Sequence, residues 1–155
     1  MGRKKLNKKR KIYPDSKFND VVAAKFINIL LKKGKKSVAE KVFYSSIGLL
    51  EEMSGEDGFF IFKKALENVK PLLEVKSKQV GGARYLVPVE VSSERRLFLA
   101  IKWIIKAAHN RGEHSTIEAL AKEMHDAAEG KGEAVKIQQN VHRTAKSNEI
   151  FAHLR

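Results

Sequence analysis

The chain contains no cysteine. Disulfides, thiolate metal sites and cysteine catalysis are therefore excluded. It also lacks a long apolar run. Its longest, Val21–Ala24 and Leu97–Ile101, are broken by Lys25 and Lys102, far short of the roughly 20 residues a membrane span needs. The basic N-terminus is not followed by an apolar segment of signal-peptide length, so export is not expected. A reducing, cytoplasmic location is. Acidic charge is scarce too: 18 Asp and Glu stand against 31 Lys and Arg, a net charge of +13. Such an excess points to a polyanionic partner, nucleic acid first and an anionic membrane second. Hydrophobic residues still make up 43% of the 155 residues, enough for one domain with a buried core.

The charge lies in blocks. Residues 1–36 carry net +11, 37–69 net −3, 70–112 net +6, 113–133 net −4 and 134–155 net +3. Interspersed charge would serve solubility alone. Blocks imply a basic face, with the acidic stretches turned away from the partner. Met1–Ile12 has seven basic residues and, as large apolar groups, only Leu6 and Ile12. Such a segment reads as a flexible arm that orders on a phosphate backbone and releases counterions. A plain solubilising tail is the alternative.

Five segments have amphipathic helical spacing: about Asp20–Lys33, Val38–Met53, Gly58–Val69, Glu94–Asn110 and Thr116–Ala128. Asn19 or Asp20, Ser37, Ser92 or Ser93, and Ser115 are the expected N-caps, Ser115 forming a capping box with Glu118. A sixth helix, about Gly132–Asn148, has a weak stripe of Val135, Ile137, Val141 and Ala145. Between the third and fourth helices the period changes to two. Glu74–Val80 and Tyr85–Val91 flank Gly81-Gly82, which reads as a β-hairpin with Pro88 on an edge. A lone hairpin is marginal in water, so it packs on helices or is completed by a partner.

The fourth helix is the most informative element. Lys102, Lys106 and His109 fall within about 40° of Arg95 around the axis, and Leu97, Ile101, Ile104 and Ala108 lie opposite. Leu99 falls at about 40° inside this basic stripe, which suggests an apolar contact with a partner. An ordinary solvated Lys/Arg face is the bland alternative. Trp103 flanks the stripe and is expected in the core, with base stacking as the lesser alternative. The hairpin sets Lys76 and Lys78 on one face, with Arg84 past the turn; a plain surface hairpin would look similar. Lys32-Lys33-Gly34-Lys35-Lys36 forms a cationic knuckle. It is no phosphate loop of the NTPase type, because Ile29 stands where a glycine is required and Lys36 where Ser or Thr is. The five His residues (109, 114, 125, 142, 153) lack zinc spacing and are expected in surface or capping roles. No nucleophile–base motif is present.

Together the residues resemble the small-subunit ribosomal protein S-seven family, in its bacterial form. The resemblance is carried in order by Pro14-Asp15, Lys25-Phe26-Ile27-Asn28, Gly34-Lys35-Lys36, Glu67-Asn68-Val69-Lys70-Pro71, Val75-Lys76-Ser77, Val80-Gly81-Gly82-Ala83, Val87-Pro88-Val89-Glu90-Val91, Asp126-Ala127-Ala128 and Asn148. It covers nearly the whole chain. The family's ribbon often carries more Arg; Lys76, Lys78 and Gln79 stand here, and Lys lacks the planar fork of Arg.

The resemblance implies a mainly α fold in one domain, 1–155. It is a bundle of six helices with a protruding two-stranded ribbon (74–91) between the third and fourth, an arm over 1–12 and a C-terminal helix and tail over 132–155. It implies a non-catalytic constituent of the small ribosomal subunit without cofactor, metal, membrane or small-molecule substrate. Such a protein binds the 3′ major domain of 16S rRNA first and starts assembly of the 30S head. E-site tRNA and mRNA pass near the ribbon, the platform protein S-eleven is a neighbour, and some members repress their own operon. Carried onto this chain, the rRNA contacts fall on Arg3, Lys4, Lys5, Lys8, Lys9, Arg10, Lys11, Lys35, Lys36, Lys76, Lys78, Arg84, Arg95, Arg96, Lys102, Lys136, Arg143 and Lys146. The tRNA- and mRNA-proximal positions fall on Lys78, Gly81, Gly82 and Arg84. A DNA-bending protein with a basic ribbon is one alternative, although Val80-Gly81-Gly82-Ala83 offers no wedge at the tip. A nucleic-acid enzyme is another, disfavoured by the missing acid or metal cluster.

Overall fold

A computed structural model of the chain describes residues 11–154. Six α-helices form the body: α1 Val21–Leu30, α2 Lys36–Ser54, α3 Gly58–Val69, α4 Ser93–Asn110, α5 Thr116–Ala128 and α6 Gly132–Ser147. Strands β1 Leu73–Val80 and β2 Ala83–Glu90 form the ribbon between α3 and α4, and a 3-10 helix, Glu149–Leu154, ends the described chain. The expected six-helix bundle with an inserted ribbon is the observed fold.

Capping chemistry accounts for several helix starts. Asp20 accepts from the Val22 N–H at 2.6 Å, Asp57 from Phe59 at 3.0 Å and Ser115 from Ile117 at 3.2 Å. Each satisfies an orphan donor of a first turn. The second helix departs from expectation. Ser37 lies inside it rather than capping it, because the chain enters α2 two residues earlier at Lys36, with Lys35 as an N-cap that makes no side-chain bond. Backbone bonds supply the turn instead: Lys35 N–H to Lys32 C=O at 3.1 Å and Lys36 N–H to Gly34 C=O at 2.9 Å. The first helix stops at Leu30, short of the expected Lys33, since Lys33 (φ +52°) and Gly34 (φ +74°) take left-handed backbone and reverse the chain. Pro71 ends α3 as expected, with Lys70 already extended.

The core is aromatic at one end. Phe26, Phe43 and Phe62 are fully buried, with ring centroids 5.2–5.3 Å apart. Such pairings add about 0.5–1.5 kcal/mol each beyond area burial. The central helix is α5, which packs on α2, α3, α4 and α6 and buries Leu120 and Met124 completely. The α2–α3 crossing is close: a Cβ on Gly58 would collide with the Ile47 carbonyl oxygen.

Within the acidic stretch 113–133, one carboxylate faces inward while Glu118, Glu129 and Glu133 stay exposed. Glu123, on α5, is wholly buried. It accepts from Arg111 Nη1 at 2.6 Å and from the Ala134 N–H at 2.8 Å, while Arg111 Nη2 reaches Asp126 at 2.8 Å. Three helices meet on that carboxylate: the end of α4, the middle of α5 and the first turn of α6. Gly132 is required beside it, having φ +89° and room for a Cβ only 2.9 Å from Glu123 Oε1. This network holds α6 in place, although only Ala134, Val135 and Ala145 of that helix are buried.

Candidate nucleic-acid interface

The ribbon is antiparallel, with Val80 paired to Ala83 across the two-residue Gly81-Gly82 turn. Both turn glycines have positive φ, +57° and +86°, as a type I′ hairpin turn demands. Counting outward from the turn puts Pro88, opposite Val75, at a non-hydrogen-bonded position. Its missing N–H therefore costs the ladder nothing. The same parity puts Glu74, Lys76 and Lys78 on one face and Arg84, opposite Gln79, on the other. The tip is thus basic on both faces, and residues 76–84 are exposed.

The base of the ribbon is anchored. His142 Nε2 on α6 accepts from the Leu72 N–H at 2.9 Å, and Val91 N–H bonds to Leu72 C=O at 3.1 Å. The terminal 3-10 helix lies against β2, with the Tyr85 and Phe151 rings 5.2 Å apart. Burial holds the His142 imidazole below its usual pKa, which favours the neutral ring that accepts this bond. Glu74, nearly buried, takes Arg95 Nε at 3.1 Å and Lys76 Nζ at 3.3 Å. That carboxylate fixes the ribbon to the start of α4. The composition reading missed it, although the period-two alternation already put Glu74 on the face of Lys76.

From Arg95 the cations continue along one side of α4. Lys102, Lys106 and His109 are all exposed, and Arg95 to His109 spans about 21 Å of helix axis. At the far end Lys32 Nζ lies 2.8 Å from His109 Nε2, which joins the helix to the α1–α2 loop. That loop presents Lys33, Lys35 and Lys36 outward, with Lys36 3.6 Å from Glu40. The Glu74 pairs and the Lys32–His109 bond so join ribbon and loop cations to the two ends of the α4 row. Lys32 and His109 were not among the expected contact residues; their pairing is tertiary, 77 residues apart in sequence.

The other expected positions are less uniform. Arg96 is only half exposed, and its Nε is buried without a hydrogen-bond partner among the described residues. Leu99, expected to meet a partner from within the basic stripe, is instead 9% exposed. It borders a groove with Trp103 on α4 and Ile137 and Val141 on α6, so α6 covers the side it was expected to offer. Trp103 packs half-buried against the core. Lys136, Arg143 and Lys146 are exposed on α6, with Lys136 3.9 Å from Glu133. Lys11 is exposed; Arg3, Lys4, Lys5, Lys8, Lys9 and Arg10 lie outside the described residues. Among the described residues no group of three or more His, Cys, Asp or Glu could hold a metal ion. None of their helices is long and apolar enough to cross a membrane.

A helical body with an anchored ribbon and a row of exposed cations has the form of a nucleic-acid-binding protein without a catalytic or metal cluster among the described residues. The chain belongs to the family described as ribosomal protein S7p/S5e, whose sequence profile matches residues 2–149. It is similar to the small ribosomal subunit protein uS7 of Vibrio campbellii, 52% identical over 155 residues, all of this chain and 99% of the relative. The proteins of the same description from Myxococcus xanthus and Syntrophotalea carbinolica are 52% and 50% identical with equal coverage. It is therefore a non-enzymatic, structural protein of the small ribosomal subunit, associated with ribosomal RNA and ribosomal proteins in the cytoplasm.

Proposed function

We propose that the chain is a primary binder of the 3′ major domain of 16S rRNA and starts assembly of the 30S head. One observation carries the reading. The exposed cations of ribbon, α4 and α1–α2 loop are contiguous, joined by Glu74 at one end and by the Lys32–His109 bond at the other. Lys76, Lys78, Arg95, Lys102, Lys35 and Lys36 neutralise phosphates along this line, and Arg84 does so from the other face of the ribbon. Arg96, half exposed beside it, contributes at its margin. The N-terminal cations Arg3 to Lys11 and the α6 cations Lys136, Arg143 and Lys146 add contacts on separate RNA segments. Deep A-form major grooves exclude side chains, so recognition rests on phosphate spacing and shape. The exposed tip, Lys78, Gly81, Gly82 and Arg84, reaches toward E-site tRNA and mRNA. The C-terminal segment meets the platform protein S-eleven, and the same surface gives the chain a means of repressing its own operon.

The test is competition binding at fixed salt, with the 3′ major domain set against unrelated structured RNA and duplex DNA. Preference for the rRNA domain is expected. Neutralising Lys35, Lys36, Arg95 and Arg96 together is expected to lower the log–log salt slope by about 3 to 4. Equal affinity for all three nucleic acids would reduce the protein to a general polycation, and an unchanged slope would remove these four residues from the interface.

A further inference from the structure

The Lys32–His109 pair does more than join a loop to a helix. Lysine has donors only, so in this 2.8 Å contact Lys32 Nζ donates and His109 Nε2 accepts. The imidazole is then neutral, with its proton on Nδ1. Both side chains are exposed, and both line a small open cavity with Lys35 and Thr116. Its remaining walls, from α1 and α2, are Leu30, Val38, Ala39 and Val42, which bring no titratable group. Among the described residues, the charged groups lining this cavity are positive, Lys32 and Lys35 from the loop, with Lys106 one turn back on the helix of His109. The nearest loop beyond α4 offers no compensation. Arg111 is turned to Glu123 and Asp126, and Glu113 to Lys122. Two ammonium groups and an imidazole, with no carboxylate lining their cavity among the described residues, lack one component: an anion.

We infer that Lys32, Lys35 and His109 form a proton-linked phosphate site, which takes a backbone phosphate of the bound RNA. The inference rests on the RNA-binding reading above. Without phosphate, Lys32 donates to the neutral imidazole. When a phosphate enters, Lys32 turns its ammonium to a phosphate oxygen. His109 Nε2, released as an acceptor, takes one proton from solvent and becomes a second donor to the same group. One proton is taken up per site filled, and the added charge is neutralised by the phosphate. Burial and the Lys32 cation hold the free imidazole below its ordinary pKa, and a bound phosphate reverses the second influence. The sign follows: the site fills more readily as pH falls.

The test uses the full chain. Its affinity for a 3′ major domain rRNA fragment is measured between about pH 5.5 and 8 at constant salt, for wild type, His109→Gln and Lys32→Met. Wild type is expected to tighten by up to about tenfold per pH unit relative to His109→Gln between the free and bound pKa values of the ring. Lys32→Met is expected to weaken binding at every pH. In parallel, inorganic phosphate is titrated into the free protein while the His109 imidazole is followed by NMR. The ring is expected to move toward its protonated shift at constant pH. Parallel pH profiles for wild type and His109→Gln, with RNA still bound tightly, would overturn this inference and leave the RNA-binding reading intact. Loss of RNA preference in all three proteins would overturn that reading instead. The phosphate titration then still decides: a His109 signal unmoved by phosphate overturns the site, and one that moves upholds it.

Discussion

Replacing Glu123 by alanine should be the most damaging single change outside the aromatic core. The carboxylate is fully buried and holds two partners, Arg111 at 2.6 Å and the Ala134 N–H at 2.8 Å. Its loss strands a helix N-terminal donor and removes one of the two acids that neutralise Arg111. Breaking a buried pair from one side costs about 3–5 kcal/mol. Single domains have only about 5–15 kcal/mol of stability in total. For a chain of this length each kcal/mol corresponds to about 2–4 °C in Tm, so a fall of the order of 10 °C is expected. Glu123→Gln keeps an acceptor for Ala134 and should lose about half as much. The double variant Arg111→Met with Glu123→Leu should lose clearly less than the sum of its singles, since no buried charge is left alone. Urea unfolding followed by circular dichroism measures wild type and all five variants, the two singles Arg111→Met and Glu123→Leu included. A Glu123→Ala loss below about 1 kcal/mol, the scale of an exposed pair, would refute the reasoning. So would a double variant additive to within about 0.5 kcal/mol.

Asp15 gives a pH-dependent counterpart. Burial alone would raise its pKa, but the Tyr44 hydroxyl at 2.6 Å and the Phe18 and Lys17 N–H groups outweigh it and hold the carboxyl below its ordinary 3.8. A depressed folded-state pKa stabilises above the unfolded value, and that stability is lost as pH falls through the folded one. Wild type should therefore exceed Asp15→Asn in Tm at neutral pH and converge with it below about pH 4; a constant difference in a pH series of melts would refute this. Shortening the ribbon by removing its paired residues beside Gly81-Gly82 should leave rRNA affinity nearly unchanged while altering exit-side tRNA or reading-frame behaviour in reconstituted subunits. A collapse of rRNA affinity would instead put the tip in the primary RNA contact.

Much of this fold was legible in the residues because its determinants are local. The Gly-Gly turn, the change of period from helix to strand and back, and Pro71 at the end of α3 each act within a few positions. The misses have longer-range causes. The second helix starts at Lys36 rather than after Ser37 because backbone bonds around Lys33 and Gly34 close the preceding turn. The place of α6 was faint in its own stripe because the stripe is narrow. What pins the helix is Glu123 from α5, Arg111 from the end of α4 and a Gly132 that leaves them room. Counting charge along residues 113–133 could not show, for the same reason, that Glu123 alone of these acids is fully buried.

The interface divides in the same way. Helical period alone aligns Arg95, Lys102, Lys106 and His109, so the α4 stripe could be read directly. Its continuity with ribbon and loop could not, because both joints are tertiary: Glu74 to Arg95 and Lys32 to His109. These joints determine what the basic line can recognise. Cations on independent loops would neutralise phosphates at variable spacing and bind any polyanion. Under the proposed function, cations spread over about 21 Å of one helix, with ribbon and loop joined to its ends, would favour an arrangement of phosphates that matches their spacing. The separation of that line from the exposed Gly81-Gly82 tip would, under the same function, let the two ends meet different partners at once.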